Sequence, residues 1–277
     1  MLPYFRSMEA FFNFTLPKSW ADLSDHQLLF FFRQLATDKP IAEIQTLCLC
    51  QWANILVRCR LEGNGYYVQS GKQHAALTLR QFVCVITALD YLKSFPLYPV
   101  RIRKIGKASA IEADFQGVPF STFISADNYY QGFLHTKNEA LLSHLATLLY
   151  PKVKKSQLTT PLLLTAFYWF SSIKLYFARL FPHFLQPMSS SSEDLLGYAP
   201  PIGEVLRTAM NAQIRALTGG DITKEEAVLS MDTWRALTEL DAKAKEVEDI
   251  KRQTKRQTRT SIGMHHLSLK HLLPKTN

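Results

Sequence analysis

The chain has 277 residues, 47% hydrophobic and 20% charged, a balance that supports at least one substantial core and excludes the disordered and collagen-like classes. Its formal net charge is +9, but seven of those units come from Lys251, Arg252, Lys255, Arg256, Arg259, Lys270 and Lys275, which leaves residues 1–250 at +2. An acid-free, Gln/Thr-rich basic end on a near-neutral body is a contact element for an acidic protein surface, nucleic acid or an anionic membrane.

The opening residues lack a basic stretch followed by an apolar core, so no secretory signal and a cytoplasmic location are expected. Ser24 with Gln27 three residues on forms a capping-box signature, and Leu28, Leu29, Phe31, Phe32 and Leu35 then mark a helix. Pro40 suits the first turn of a second helix over 41–57. Gly63-Asn64-Gly65 reads as a turn and Tyr66-Tyr67-Val68 as a short strand. Phe82, Val85, Ile86, Leu89 and Leu92 predict a third helix over 77–95.

The period-two alternation of Val100, Arg101, Ile102 and Arg103, the punctuation at Gly106 and Gly117 and the β-prone stretch 120–124 predict a small antiparallel meander at 97–124. Arg101, Arg103, Lys104 and Lys107 fall on or near its first strand. They can pair across to Glu112 and Asp114 or form a nucleic-acid patch. Helices follow at 127–134 and 138–149, the first with Tyr129 and Tyr130 on it. The apolar run from Pro161 is broken by Lys174, well short of the ~20 residues of a membrane span, and reads as a buried or docking helix over 162–180.

A polar Ser/Pro linker occupies 187–201. Beyond it, residues 202–217 form an amphipathic helix with Val205, Leu206, Ala209, Met210, Ile214 and Leu217 on one face, stopped by Gly219-Gly220. Thr223 and Glu226 offer a capping box for the next helix. From Met231 a long helix carries Trp234, and Leu237, Leu240, Ala244 and Val247 follow at 3,4,3 spacing, a short heptad-like seam. Residues 202–250 hold ten acids and six bases, net −4. The tail 251–277 is expected to be partly disordered; a helix continued into it would align Arg252 and Arg256, and residues 267–274 resemble an amphipathic docking peptide.

The expected architecture is mainly α: a multi-helix domain at 1–186 with the β insertion, the linker, a C-terminal helical module at 202–250 and the basic tail. No catalytic residue, metal site or cofactor is expected. Cys48, Cys50, Cys59 and Cys84 lack the Cys-x-x-Cys spacing of a zinc site, and Thr218–Asp221 lacks the alternating acids of a calcium loop. The histidines are scattered, and phosphate-loop, dinucleotide and His-Glu-x-x-His motifs are absent. The expected function is non-enzymatic protein–protein interaction. Val205, Leu206, Met210, Ile214, Trp234, Leu237, Leu240 and Val247 are the candidate partner-binding residues. Lys251, Arg252, Lys255, Arg256, Arg259, Arg101 and Arg103 are the candidate contacts to an anionic partner. The alternative is a nucleic-acid-binding accessory protein that uses the tail and the basic strand at 101–107.

Three blocks carry a family likeness: Leu16–Ser24, Tyr129-Tyr130-Gln131-Gly132, and the pair 211–221 and 233–240. With them the chain resembles uncharacterised proteins of prophage tail-gene clusters, some of which act as tail assembly chaperones. The resemblance implies a non-enzymatic helper that engages a hydrophobic or coiled-coil tail component, such as a tape-measure protein, during phage tail assembly. This chain is larger and more basic than the commonest chaperones of that kind.

Overall fold

The computed structural model describes residues 15–62, 65–185 and 201–270, with residue 202 and residues 255–270 described by backbone alone. The expected linker up to residue 200, the turn residues 63–64 and the chain end at 271–277 lie outside the described residues. The protein is mainly α-helical with a small antiparallel β meander. Its helices are α1 (Asp25–Leu35), α2 (Ile41–Trp52), α3 (Leu79–Thr87), α4 (Phe120–Thr136), α5 (Glu139–Leu149), α6 (Thr160–Leu180), α7 (Ile202–Thr218), α8 (Glu225–Ser230) and α9 (Thr233–Lys270). The strands are β1 (Ile55–Leu61), β2 (Gly65–Ser70), β3 (Gln73–Thr78), β4 (Lys104–Ile105) and β5 (Ala108–Ser109). The chain divides into two compact units, 1–116 with 122–176 and 117–121 with 177–277, so the divide falls within α4 and α6 rather than at the Ser/Pro stretch.

In the first unit, α1 opens with the expected capping box: Gln27 N donates to Ser24 Oγ at 3.3 Å and Ser24 N to Gln27 Oε1 at 2.9 Å. Its buried face, Leu28, Phe31 and Phe32, meets Trp20, whose ring stands edge-on to Phe31 at 5.2 Å. The Trp20 indole N–H is not left dry, because it donates to the carbonyls of Tyr91 at 2.9 Å and Ser94 at 3.1 Å. In α2, Ile44, Cys48 and Leu49 are fully buried. Burial pushes the Cys48 thiol up to about 12, which leaves a neutral, apolar side chain. Gln45, 1% exposed, satisfies its amide on Leu89 O at 2.9 Å and Asp90 Oδ1 at 3.1 Å. Hydrogen bonds from Lys93 and Gln45 hold the Asp90 carboxyl below its ordinary value.

The helix expected to reach 57 stops at Trp52. Asn54 takes a left-handed φ of 52°, a conformation its short polar side chain tolerates, and turns the chain out of α2. The β-branched residues beyond it then extend as β1. The three strands form an antiparallel sheet in the order β1-β2-β3, with Val57 beside Val68 and Val68 beside Ala75. The third helix is likewise shorter than expected: Thr78 and Gln81 cap α3 at its start, and Leu89 and Leu92 are buried on a separate turn around Asp90–Lys93.

The meander therefore lies at 55–78, not at 97–124. Within 97–124 only the two-residue strands β4 and β5 pair, around Gly106 at φ 59°. The alternation at 100–103 arises from inward anchoring of the chain, since Ile102 is buried and its carbonyl accepts the Tyr150 hydroxyl at 2.9 Å. Residues 120–124, β-prone by composition, begin α4, because tertiary burial of Phe123 and Ile124 outweighs local propensity.

Helices α4, α5 and α6 pack through aromatic side chains. Tyr130 donates to or accepts from Ser171 Oγ at 3.0 Å and stacks on Phe167, while Tyr129 stacks on His144. Both tyrosines are half-buried and packed within the first unit. Trp169, Phe170 and Ile173 on α6 are fully buried. No helix among the described residues is long and apolar enough to cross a membrane.

Candidate functional site

The second unit comprises α7, α8, α9, residues 177–185 and the segment 117–121. Its organising point is the entry to α9. Asp232 Oδ1 accepts the amides of Trp234 at 3.0 Å and Arg235 at 3.2 Å, as an N-cap should. Its Oδ2 accepts Gly117 N at 2.6 Å, a charge-assisted bond from distant sequence. Thr233 is fully buried and sends both its amide (2.9 Å) and its hydroxyl (2.7 Å) to the carbonyl of Val118. Phe120 N in turn donates to Met231 O at 2.8 Å, and Pro119 and Asp232 form an antiparallel bridge. One carboxylate thus caps a helix and ties down the 117–121 segment. Asp232→Ala should therefore cost about 2–3 kcal/mol, more than an ordinary cap, because a charged acceptor of three amides is removed. Urea titration read by circular dichroism measures it, and a loss below about 0.5 kcal/mol, the range of an ordinary surface change, would contradict the assignment.

Further along α9, the Trp234 ring stands edge-on to Phe177 at 5.8 Å and Phe181 at 6.1 Å. Ala236, Leu237 and Leu240 are buried. One turn on, Asp241 Oδ1 accepts the backbone amides of His183 (2.8 Å) and Phe184 (3.0 Å), and His183 Nδ1 lies 3.3 Å from Glu248. Arg252 approaches Glu248 at 3.6 Å and Asp249 at 3.9 Å with 70% of its side chain exposed, so these contacts add little stability.

Helix α7 closes as its sequence predicts, with Gly219 left-handed at φ 65°. The Thr223/Glu226 capping box does not form. Asp221 accepts both the amide of Thr223 at 3.0 Å and its hydroxyl at 2.6 Å and opens a 3-10 turn over Ile222–Lys224, so Thr223 lies within that turn and α8 starts at Glu225 with Lys224 at its cap position.

The candidate partner-binding residues separate into two sets. Ile214, Leu237 and Leu240 are buried inside the second unit, and Trp234 is half-buried in its aromatic cluster, so these four hold the unit together. Leu206 and Met210 are half-buried. Val205 and Val247 are exposed at 40% and 49%. Beyond Glu248 every α9 side chain described is exposed, including Lys251, Arg252 and the apolar Ile250 at 62%. Lys255, Arg256 and Arg259 lie on the same helix, which continues through Lys270; their side chains are outside the described residues.

In the first unit, Arg101 pairs with Glu112 at 3.3 Å, one of the two acids its sequence suggested although neither residue lies on a strand, and its guanidinium lies 5.8 Å from the Trp169 ring centroid. Arg103 is exposed, with its backbone amide on Asp25 Oδ2 at 2.9 Å. Arg101 and Arg103 therefore do not act as one surface pair. Among the described residues no cluster of three or more metal-ligating side chains occurs.

Sequence reasoning missed Asp232 and Asp241. Asp232 had a legible signal, an acid immediately ahead of a helical run. Asp241 had none, since its partners are backbone amides far off in sequence. Comparison with protein-family models, with curated proteins and with solved structures finds no match to this chain.

Proposed function

We propose that the protein is a non-enzymatic interaction factor in an assembly process, with the outer part of α9 as its contact element. The observation that carries this reading is the mismatch between helix length and packing. Helix α9 runs for 38 residues, about 57 Å, and among its described side chains, which end at Thr254, the last buried one is Leu240 and the last half-buried one Glu248. A helix stretch bearing exposed Val247 and Ile250 beside Lys251 and Arg252 is suited to lie along another protein, with apolar anchors and a basic rim. The likeness to prophage tail-region proteins supports an assembly role, with a hydrophobic or coiled-coil tail component as partner and the cytoplasm as its place of action. The engagement of Arg101 by Glu112 weakens the nucleic-acid alternative, because it removes one arginine from the basic strand.

A chain ending at Asp249, compared with the full chain in affinity purification with nuclease treatment, tests the reading. The full chain should retain a nuclease-resistant protein partner, and the shortened chain should lose it while keeping its circular dichroism per residue. Retention that vanishes with nuclease and falls steeply as salt rises would instead assign the tail to nucleic acid.

A further inference from the structure

Residues 1–250 carry +2, yet residues 54–84 alone carry +3, from Arg58, Arg60, Lys72 and Arg80 against Glu62, so the remainder of the body is net −1. That stretch builds the β1-β2-β3 sheet and most of α3, and no acid lies on any of the three strands. The sheet has two unlike faces. On the inner one Ile55, Val68 and Ala75 are buried, and Tyr66 meets Phe82 of α3 at 5.6 Å between ring centroids. The outer one carries Leu56, Arg58, Cys59, His74 and Ala76, all exposed, with half-buried Tyr67 and Gln69 among them. The Tyr67 ring lies nearly parallel to that of His74, with 12° between planes and 5.7 Å between centroids. At the register shift between Val57 and Cys59, Arg58 reaches Gln69: its Nε donates to Gln69 Oε1 at 2.7 Å, and Gln69 Nε2 donates to Gly71 O at 2.8 Å. The exposed guanidinium is thus held at its root and presents its terminal nitrogens outward, the fork that pairs with a phosphate.

We propose that the outer face of this sheet binds single-stranded nucleic acid, with the Tyr67–His74 pair as a stacking platform for a base and Arg58 as the contact to a neighbouring phosphate. Charge and rings together select the occupant. Acid-free strands in a +3 segment favour a polyanion and disfavour a second copy of the same basic face. An acidic peptide would answer the charge, but only a base offers a flat ring of its own to Tyr67 and His74, and every unpaired base does so. A duplex keeps its bases stacked on one another, so the platform serves a single strand. Arg60 on β1 and Lys72 in the turn between β2 and β3 add further cations for the backbone of the strand. This site uses no residue of α9 or of the 101–107 segment, and it goes beyond the assembly reading without depending on it.

Fluorescence anisotropy of the full chain with a labelled oligothymidylate of about twelve nucleotides tests the site. The wild type should bind the single strand more tightly than the same strand paired to its complement. Tyr67→Ala should weaken the single-strand complex about tenfold with unchanged circular dichroism, while Tyr67→Phe, which keeps the ring, should bind as the wild type does. Arg58→Ala should weaken it too and lower the slope of log affinity against log salt by about one. Should Tyr67→Ala fail to fold, His74→Ala, at an exposed position, gives the same readout. Wild type that binds neither oligonucleotide overturns the proposal. Binding that Tyr67→Ala, His74→Ala and Arg58→Ala leave unchanged overturns it equally, since another basic surface, such as the end of α9, then carries the nucleic acid. Displacement of the oligonucleotide by hexaglutamate at equal charge concentration would assign the face to an acidic protein instead.

Discussion

Replacement of Trp169 by alanine is expected to lower the stability of the first unit by about 3–5 kcal/mol, the range of large aromatic truncations in a packed core. Three separate losses add at this one position. The side chain is fully buried against Tyr150, at 5.7 Å between ring centroids. Its indole N–H donates to Ala113 O at 2.8 Å, so truncation strands a carbonyl. Its ring also faces Arg101, a half-buried cation whose Nε has no hydrogen-bond partner among the described residues. Trp169→Phe separates these terms, since it keeps most of the packing and loses the hydrogen bond, and should cost about 1–3 kcal/mol. Denaturant unfolding of both variants gives the two numbers. An alanine variant within about 1 kcal/mol of the wild type would mean that the surrounding rings close the cavity, contrary to the close packing of interiors.

The second large effect contrasts two residues that share one seam in the sequence. Leu237→Ala should destabilise the second unit by about 2–5 kcal/mol, because Leu237 is fully buried. Val247→Ala should stay within about 0.5 kcal/mol, as for other exposed positions, since nearly half of that side chain meets solvent. Partner retention should move the opposite way: Val247→Asp loses the partner with the fold intact, and Leu237→Ala affects the partner only as far as it unfolds the unit. Thermal unfolding and affinity retention on the same preparations provide the test. Equal stability losses at the two positions would show that Val247 is packed like Leu237 and would remove the argument for an exposed contact surface on the outer part of α9.

The mainly helical class with a small meander was legible in the residues, and so were most helix starts. Ser24 with Gln27 and Asn138 announce their helices because capping is local, settled within three or four positions of chain. Gly219 was legible for the same reason. The location of the meander was not. Residues 53–57 continue an apolar run that suits a helix or a strand equally, and the decision lies with Asn54 and with the partner strand that Tyr66, Tyr67 and Val68 supply. Residues 120–124 failed in the opposite sense, strand by composition and helix by burial. The candidate contact residues divided along the same line. Periodicity identified the apolar face of α9 but could not tell the buried Leu237 and Leu240 from the exposed Val247, because one helical stripe can be covered at one end and open at the other.

By itself, then, the sequence determined the helical class, most of the caps and the charge asymmetry of the chain, all properties that depend on composition or on neighbours within a turn or two. Only the tertiary structure decided that Asp232 joins the start of α9 to Gly117, that Asp241 holds the amides of His183 and Phe184, and that the basic end continues as helix rather than beginning a separate tail. It also decided that β1 and β3 form the edges of the sheet. The physical reason is common to all of these. Backbone amides and strand edges have no side-chain signature, so a partner more than fifty residues away along the chain becomes visible only once folding has brought the two together.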